Sequence, residues 1–230
     1  MVRIAPILAL LSAVVFLVAP AQGGKPSAKS CGKQEFAYAG LEADETAHGV
    51  RTGISQLAAP DLSDGHIAGW IGVGGPDAGP DGKAEWLQAG LASFAPWNTI
   101  YLYYEVAIAG KPTYHEVKAD VKPGEKHDLA VLEVHGRDSW WRVWVDGKPV
   151  SKPIYLPRSH GNWYPQALAE NWNGGTGTCN SYAYRFTNVR LAQQNGGSWK
   201  SLKQRSMVED PGYQVVQTSR VPSNFVATSL

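Results

Sequence analysis

The chain has 230 residues, of which 43% are hydrophobic, 10% aromatic and only 18% charged. This composition excludes a disordered chain and supplies enough apolar material for one domain with a real core. Basic and acidic residues number 21 and 20 with no basic run or stripe, which argues against a nucleic-acid partner.

The first segment, residues 1–21 (MVRIAPILALLSAVVFLVAPA), has a basic Arg3, an apolar run from Ile4 to Val18 and a small-x-small end at Ala19-Pro20-Ala21. That is the pattern of a secretory signal peptide, too short and too lightly flanked for a membrane span. It predicts a secreted, extracellular protein with no membrane attachment after cleavage. Removing Arg3 with the leader brings the basic residues level with the acidic ones, so the mature chain is expected to be neutral. Residues 22–35 are polar and rich in Gly, Lys and Ser and read as a flexible lead-in. Both cysteines, Cys31 and Cys179, fall in the exported part, and an even count in an oxidising compartment predicts one disulfide. With two cysteines far apart and no His-x-x-x-His pair, no metal site is expected.

From Phe36 onward, short apolar runs alternate with turn signals such as Asp64-Gly65, Asp81-Gly82, Pro123-Gly124 and Asp146-Gly147. Strands at intervals of about 8–12 residues with Gly/Pro turns predict one antiparallel β-sandwich over 36–230. In Ile100–Ile108, Tyr101, Tyr103 and Glu105 share one face and Leu102, Tyr104 and Val106 the other. Trp86 and Gln88 likewise share a face. Trp140–Val145 followed by Asp146-Gly147 is a hairpin signal. Tyr182–Leu191 is a further strand, and Phe225-Val226-Ala227 is expected to return to the sheet. The glycines of Gly69-Trp70-Ile71-Gly72-Val73-Gly74-Gly75 mark a strand that a backbone or ligand approaches closely.

The ordered set Trp70-Ile71-Gly72-Val73-Gly74-Gly75, Leu87-Gln88-Ala89-Gly90, Tyr104-Glu105, Ala169-Glu170 and Phe186-Thr187-Asn188 resembles the glutamic peptidases (eqolisins) across Gly65 to Leu191. The resemblance implies an all-β, concanavalin A-like jelly roll. It also implies a catalytic pair, Gln88 and Glu170, that needs no cofactor. Glu170 would act as general base on water and then as general acid to the leaving amine, and Gln88 would stabilise the oxyanion. Trp70, Trp86, Tyr103 and Glu105 would contact the substrate, a polypeptide taken by a monomer. On this reading Gln88 and Glu170 face each other across the concave sheet, within reach of one bridging water. The alternative is a non-catalytic carbohydrate- or cell-wall-binding sandwich, including a peptidase relative without activity. A β-glucanase ranks last, with Glu105 and Glu170 the one pair of acids to consider.

Overall fold

In the computed structural model, residues 36–173, 180–203, 205–221 and 223–230 are described. The segments read as signal peptide and lead-in, and both cysteines of the expected disulfide, lie outside these residues. The strands run in chain order as β1 (Phe36–Ala43), β2 (Gly49–Gln56), β3 (His66–Gly75), β4 (Glu85–Phe94), β5 (Tyr101–Ile108), β6 (Lys111–Lys118), β7 (His127–Glu133) and β8 (Trp140–Val145). There follow β9 (Lys148–Pro149), β10 (Ile154–Tyr155), β11 (Gln166–Trp172), β12 (Ala183–Gln194), β13 (Gly197–Ser201), β14 (Arg205–Glu209), β15 (Tyr213–Gln217) and β16 (Phe225–Ser229). One 3-10 turn, Pro80–Gly82, is the only helical element among the described residues.

Two antiparallel sheets pack face to face, as the turn spacing predicts. The first has the order β14-β1-β11-β3-β4-β5-β6; the second has β10-β8-β7-β2-β12-β16-β15, with β13 on β12 and β9 on β8. Alternation decides which side chains lie between them. In β8 every second residue is buried, so Trp141, Val143 and Val145 point inward. Ile67, Ile71, Leu87, Leu91 and Leu102 of the first sheet meet Ile54, Leu129, Val131, Tyr184 and Phe186 of the second in one buried cluster. Gly69 is on this inner face because a Cβ there would lie 2.5 Å from the Tyr184 ring. The glycine-rich strand therefore admits a core tyrosine from the opposite sheet, rather than a ligand, at this position.

Asp146 and Gly147 have φ of 49° and 75°, the two positive values of a type I′ turn, and they join β8 to β9. Phe225–Ala227 pairs with β12 as expected, Phe225 opposite Phe186 with ring centroids 4.6 Å apart. The segment after Ser198 thus splits between the sheets: β14 extends the first, while β15 and β16 extend the second.

Candidate substrate cleft

The outer face of the first sheet is a cleft of about 1060 Å³. Its floor can be read as rows crossing the strands. Tyr38 of β1, Glu170 of β11, Ala68 of β3 and Ala92 of β4 form one row. Leu168, Trp70, Gly90 and Tyr103 form the next. Gln166, Gly72, Gln88, Glu105 and Tyr114 form the third. Period-2 alternation puts all of them on one face, so Trp70, Trp86, Gln88, Tyr103, Glu105 and Glu170 all line the same cleft.

The small residues set the floor level. A Cβ on Gly90 would lie 2.2 Å from the Gly69 carbonyl oxygen and 2.7 Å from Trp70 Cβ, so glycine lets Trp70 lie against β4. Trp70, Tyr103, Leu168, Ala68 and Ala92 make a second apolar cluster there, with Trp70 6% and Tyr103 2% exposed.

Glu170 is 8% exposed and both its oxygens accept hydrogen bonds. Trp70 Nε1 donates to Oε2 at 2.9 Å, and His66 Nε2 lies 3.0 Å from Oε1. Glu105 accepts from Trp86 Nε1 at 2.9 Å. Burial, and then the charge of Glu170, push the Glu105 carboxyl above its ordinary value, with the Trp86 hydrogen bond opposing. Burial first, then the charges of Glu170 and Glu105, hold the Tyr103 phenol well above its ordinary value. It therefore stays neutral and accepts from Gln88 Nε2 at 3.3 Å. Glu42 also lines the cleft, and no Lys or Arg does so among the described residues.

The register sets Gln88 and Glu170 diagonally across this face rather than directly opposite each other. Glu170 lies opposite Ala68 and, one strand on, Ala92; Gln88 lies opposite Gly72 and, one strand on, Gln166. The pair is thus two strands apart and four residues out of step, roughly 16 Å between Cα atoms at ordinary sheet spacings. The Trp70–Tyr103 row lies between them. Both side chains reach into that row, Gln88 to Tyr103 and Glu170 to Trp70. The β11 side chain level with Gln88 is Gln166, whose amide donates to Glu42 at 3.4 Å.

The sequence analysis does not single out two residues of this face: His66, the partner of Glu170, and Gln166, which lies level with Gln88. Parity contained the signal for both, since His66 is in step with Trp70, and Gln166 with Glu170.

No family model matches the sequence, and no curated protein matches it. Solved structures do. The chain superposes on Scytalido-glutamic peptidase, solved with a peptide-based transition state analog, at a TM-score of 0.60 and 15% identity, covering 85% of this chain and 98% of that one. It superposes on SCP-B, a member of the eqolisin family of peptidases solved with the tripeptide Ala-Ile-His, at a TM-score of 0.55 and 16% identity with the same coverage. The fold is therefore that of the glutamic peptidases.

Proposed function

We propose that this chain, built on the glutamic-peptidase fold, is an exported protein that binds an extended polypeptide bearing a basic side chain. In this reading it holds the polypeptide in the cleft without cutting it through a Gln88–Glu170 dyad. The observation that carries the reading is the four-residue offset between Gln88 and Glu170. A general base and an oxyanion donor must act on one carbonyl carbon, so both must lie within hydrogen-bond reach of it. Split across the Trp70 row, they serve two positions along a bound chain instead.

A peptide suits the cleft better than a glycan does. Sugar stacking needs aromatic faces open to solvent; Trp70 and Tyr103 are 6% and 2% exposed, and the open rings of the cleft, Phe36 and Tyr114, stand on β1 and β6 with four strands between them. The side-chain amides of Gln88 and Gln166 can each donate to and accept from a peptide backbone. Glu42, Glu105 and Glu170 with no facing Lys or Arg favour a cationic side chain. The likeness to peptidases solved with peptide ligands supports the same class of partner.

The test is incubation with a reduced, denatured protein from pH 2 to 7, followed by mass spectrometry of the products and by fluorescence binding of Lys-containing peptides. Binding that weakens with salt, without new termini, is the expected result. Cleavage that disappears in Glu170→Gln would restore the dyad and overturn the reading. Preferential binding of a soluble β-glucan would establish the carbohydrate alternative.

A further inference from the structure

A second cluster of chemistry-bearing side chains lies on the other sheet, away from the cleft. Alternation along β7 puts His127, Leu129, Val131 and Glu133 on the buried face, so Glu133 follows two aliphatic residues of the core. It is 0% exposed. His48 Nδ1 lies 2.7 Å from its Oε2, and His160 Nδ1 2.8 Å from its Oε1. The backbone N–H of Ser139 donates to Oε1 at 2.5 Å. The two imidazole rings are 4.9 Å apart between centroids. No Lys or Arg pairs with Glu133 among the described residues. Burying a carboxylate is costly unless it is paired, and two imidazoles converging on one carboxylate offer the donor set of a zinc site.

We propose that His48, Glu133 and His160 bind one zinc ion. The three ligand atoms lie within 4.8 Å of one another. Zinc–nitrogen and zinc–oxygen bonds of about 2.0–2.2 Å place tetrahedral ligand atoms roughly 3.4 Å apart, so the cluster needs only small adjustments. Imidazole and carboxylate together select zinc over calcium or magnesium, which take oxygen ligands. Each histidine, if Nδ1-protonated, shifts its proton to Nε2 and turns the Nδ1 lone pair to the metal. A histidine that starts as imidazolium gives one proton to solvent on binding. His160 is at the rim, its side chain 41% exposed, which gives the ion a way in. Asp138 Oδ1 lies 3.5 Å from His160 Nδ1 and supplies a fourth ligand, directly or through water.

The ligands come from three separate segments: His48 just ahead of β2, Glu133 at the end of β7, and His160 in the connection from β10 to β11. The backbone N–H of Glu133 donates to the His48 carbonyl at 2.9 Å, which holds two of them in place before any ion arrives. The ion would pin the β10–β11 connection to the end of the second sheet and so stabilise the fold by mass action.

Chelator-stripped protein titrated with zinc sulfate in a calorimeter tests this directly. The expected result is one equivalent per chain and a Tm that climbs with the logarithm of zinc concentration. Cobalt(II) in place of zinc should give a tetrahedral visible spectrum. His48→Ala and His160→Ala should each abolish the one-equivalent step, while His66→Ala in the cleft should leave it intact. Because His160 is at the rim, its variant keeps the native near-UV circular dichroism against which the loss is judged. No heat and no change in Tm, uptake that survives either of the first two substitutions, or uptake lost with His66→Ala would overturn the site.

Discussion

Glu105 is an acid held half-buried among aromatics, and its ionisation is a cost to the fold. Its folded pKa is raised, so the folded state keeps the proton to a higher pH than the unfolded chain does. As pH rises from the ordinary glutamate value of about 4.3, the unfolded chain ionises first and stability falls until the folded carboxyl has ionised too. Above that window the loss is constant. Glu105→Gln is neutral and still accepts from Trp86, so it should be more stable than the parent at pH 7 and no more stable below pH 4, as read by urea unfolding at the two values. An equal gain at both would remove burial of the charge as the cause. Trp70 works in the opposite sense, because its indole N–H pairs a nearly buried carboxylate oxygen. Trp70→Phe should cost about 1–3 kcal/mol by leaving that oxygen unsatisfied. A double-mutant cycle with Glu170→Gln should recover part of this as coupling.

At the scale of the strand, β3 and β4 approach each other with glycines at the crowded points. Gly90→Ala would drive a Cβ against the Gly69 carbonyl and Trp70, and neither can yield without moving β3. The expected loss is about 1–3 kcal/mol, the range for overpacking. Gly75, in the same sheet, has nothing within 4 Å of an added Cβ and has no left-handed backbone. Gly75→Ala should therefore leave the Tm within error of the parent. Equal effects of the two substitutions in thermal unfolding would show that helix-or-strand propensity, not the close approach, governs this strand pair.

The whole molecule is closed by contacts between chain ends. β1 pairs with β11, so that Phe36 lies opposite Trp172, and with β14, while β16 places Phe225 on Phe186 inside the core. A chain cut after Leu202 loses the outer neighbour of β1 and the stacked partner of Phe186 together. It should lose its near-UV circular dichroism and aggregate through the bared β1 and β12 edges. Phe225→Ala is the milder version and should cost about 3–5 kcal/mol. A truncated chain with native spectra would mean that β14–β16 are an appendage rather than part of the sandwich.

Side-chain alternation is local, and it carried most of what could be read in advance. It assigned Tyr103 and Glu105 to one face and Leu102 and Val106 to the other, put Trp86 with Gln88, and the Asp146-Gly147 pair marked its hairpin. The glutamic-peptidase motifs pointed to the same sandwich. What alternation cannot fix is how far one strand has slid past another. A shift of two residues leaves every side chain on its face and changes only the partner opposite. Gln88 and Glu170 were correctly set on one face, yet only the β11–β3–β4 register reveals that they are four residues out of step, with Gln166 level with Gln88. The same limit hid His66 beside Glu170, and it hid the meeting of His48, Glu133 and His160, three residues from distant segments. Periodicity decides faces because it follows from backbone geometry within a strand; register is decided by the packing of the whole core, which no single strand contains.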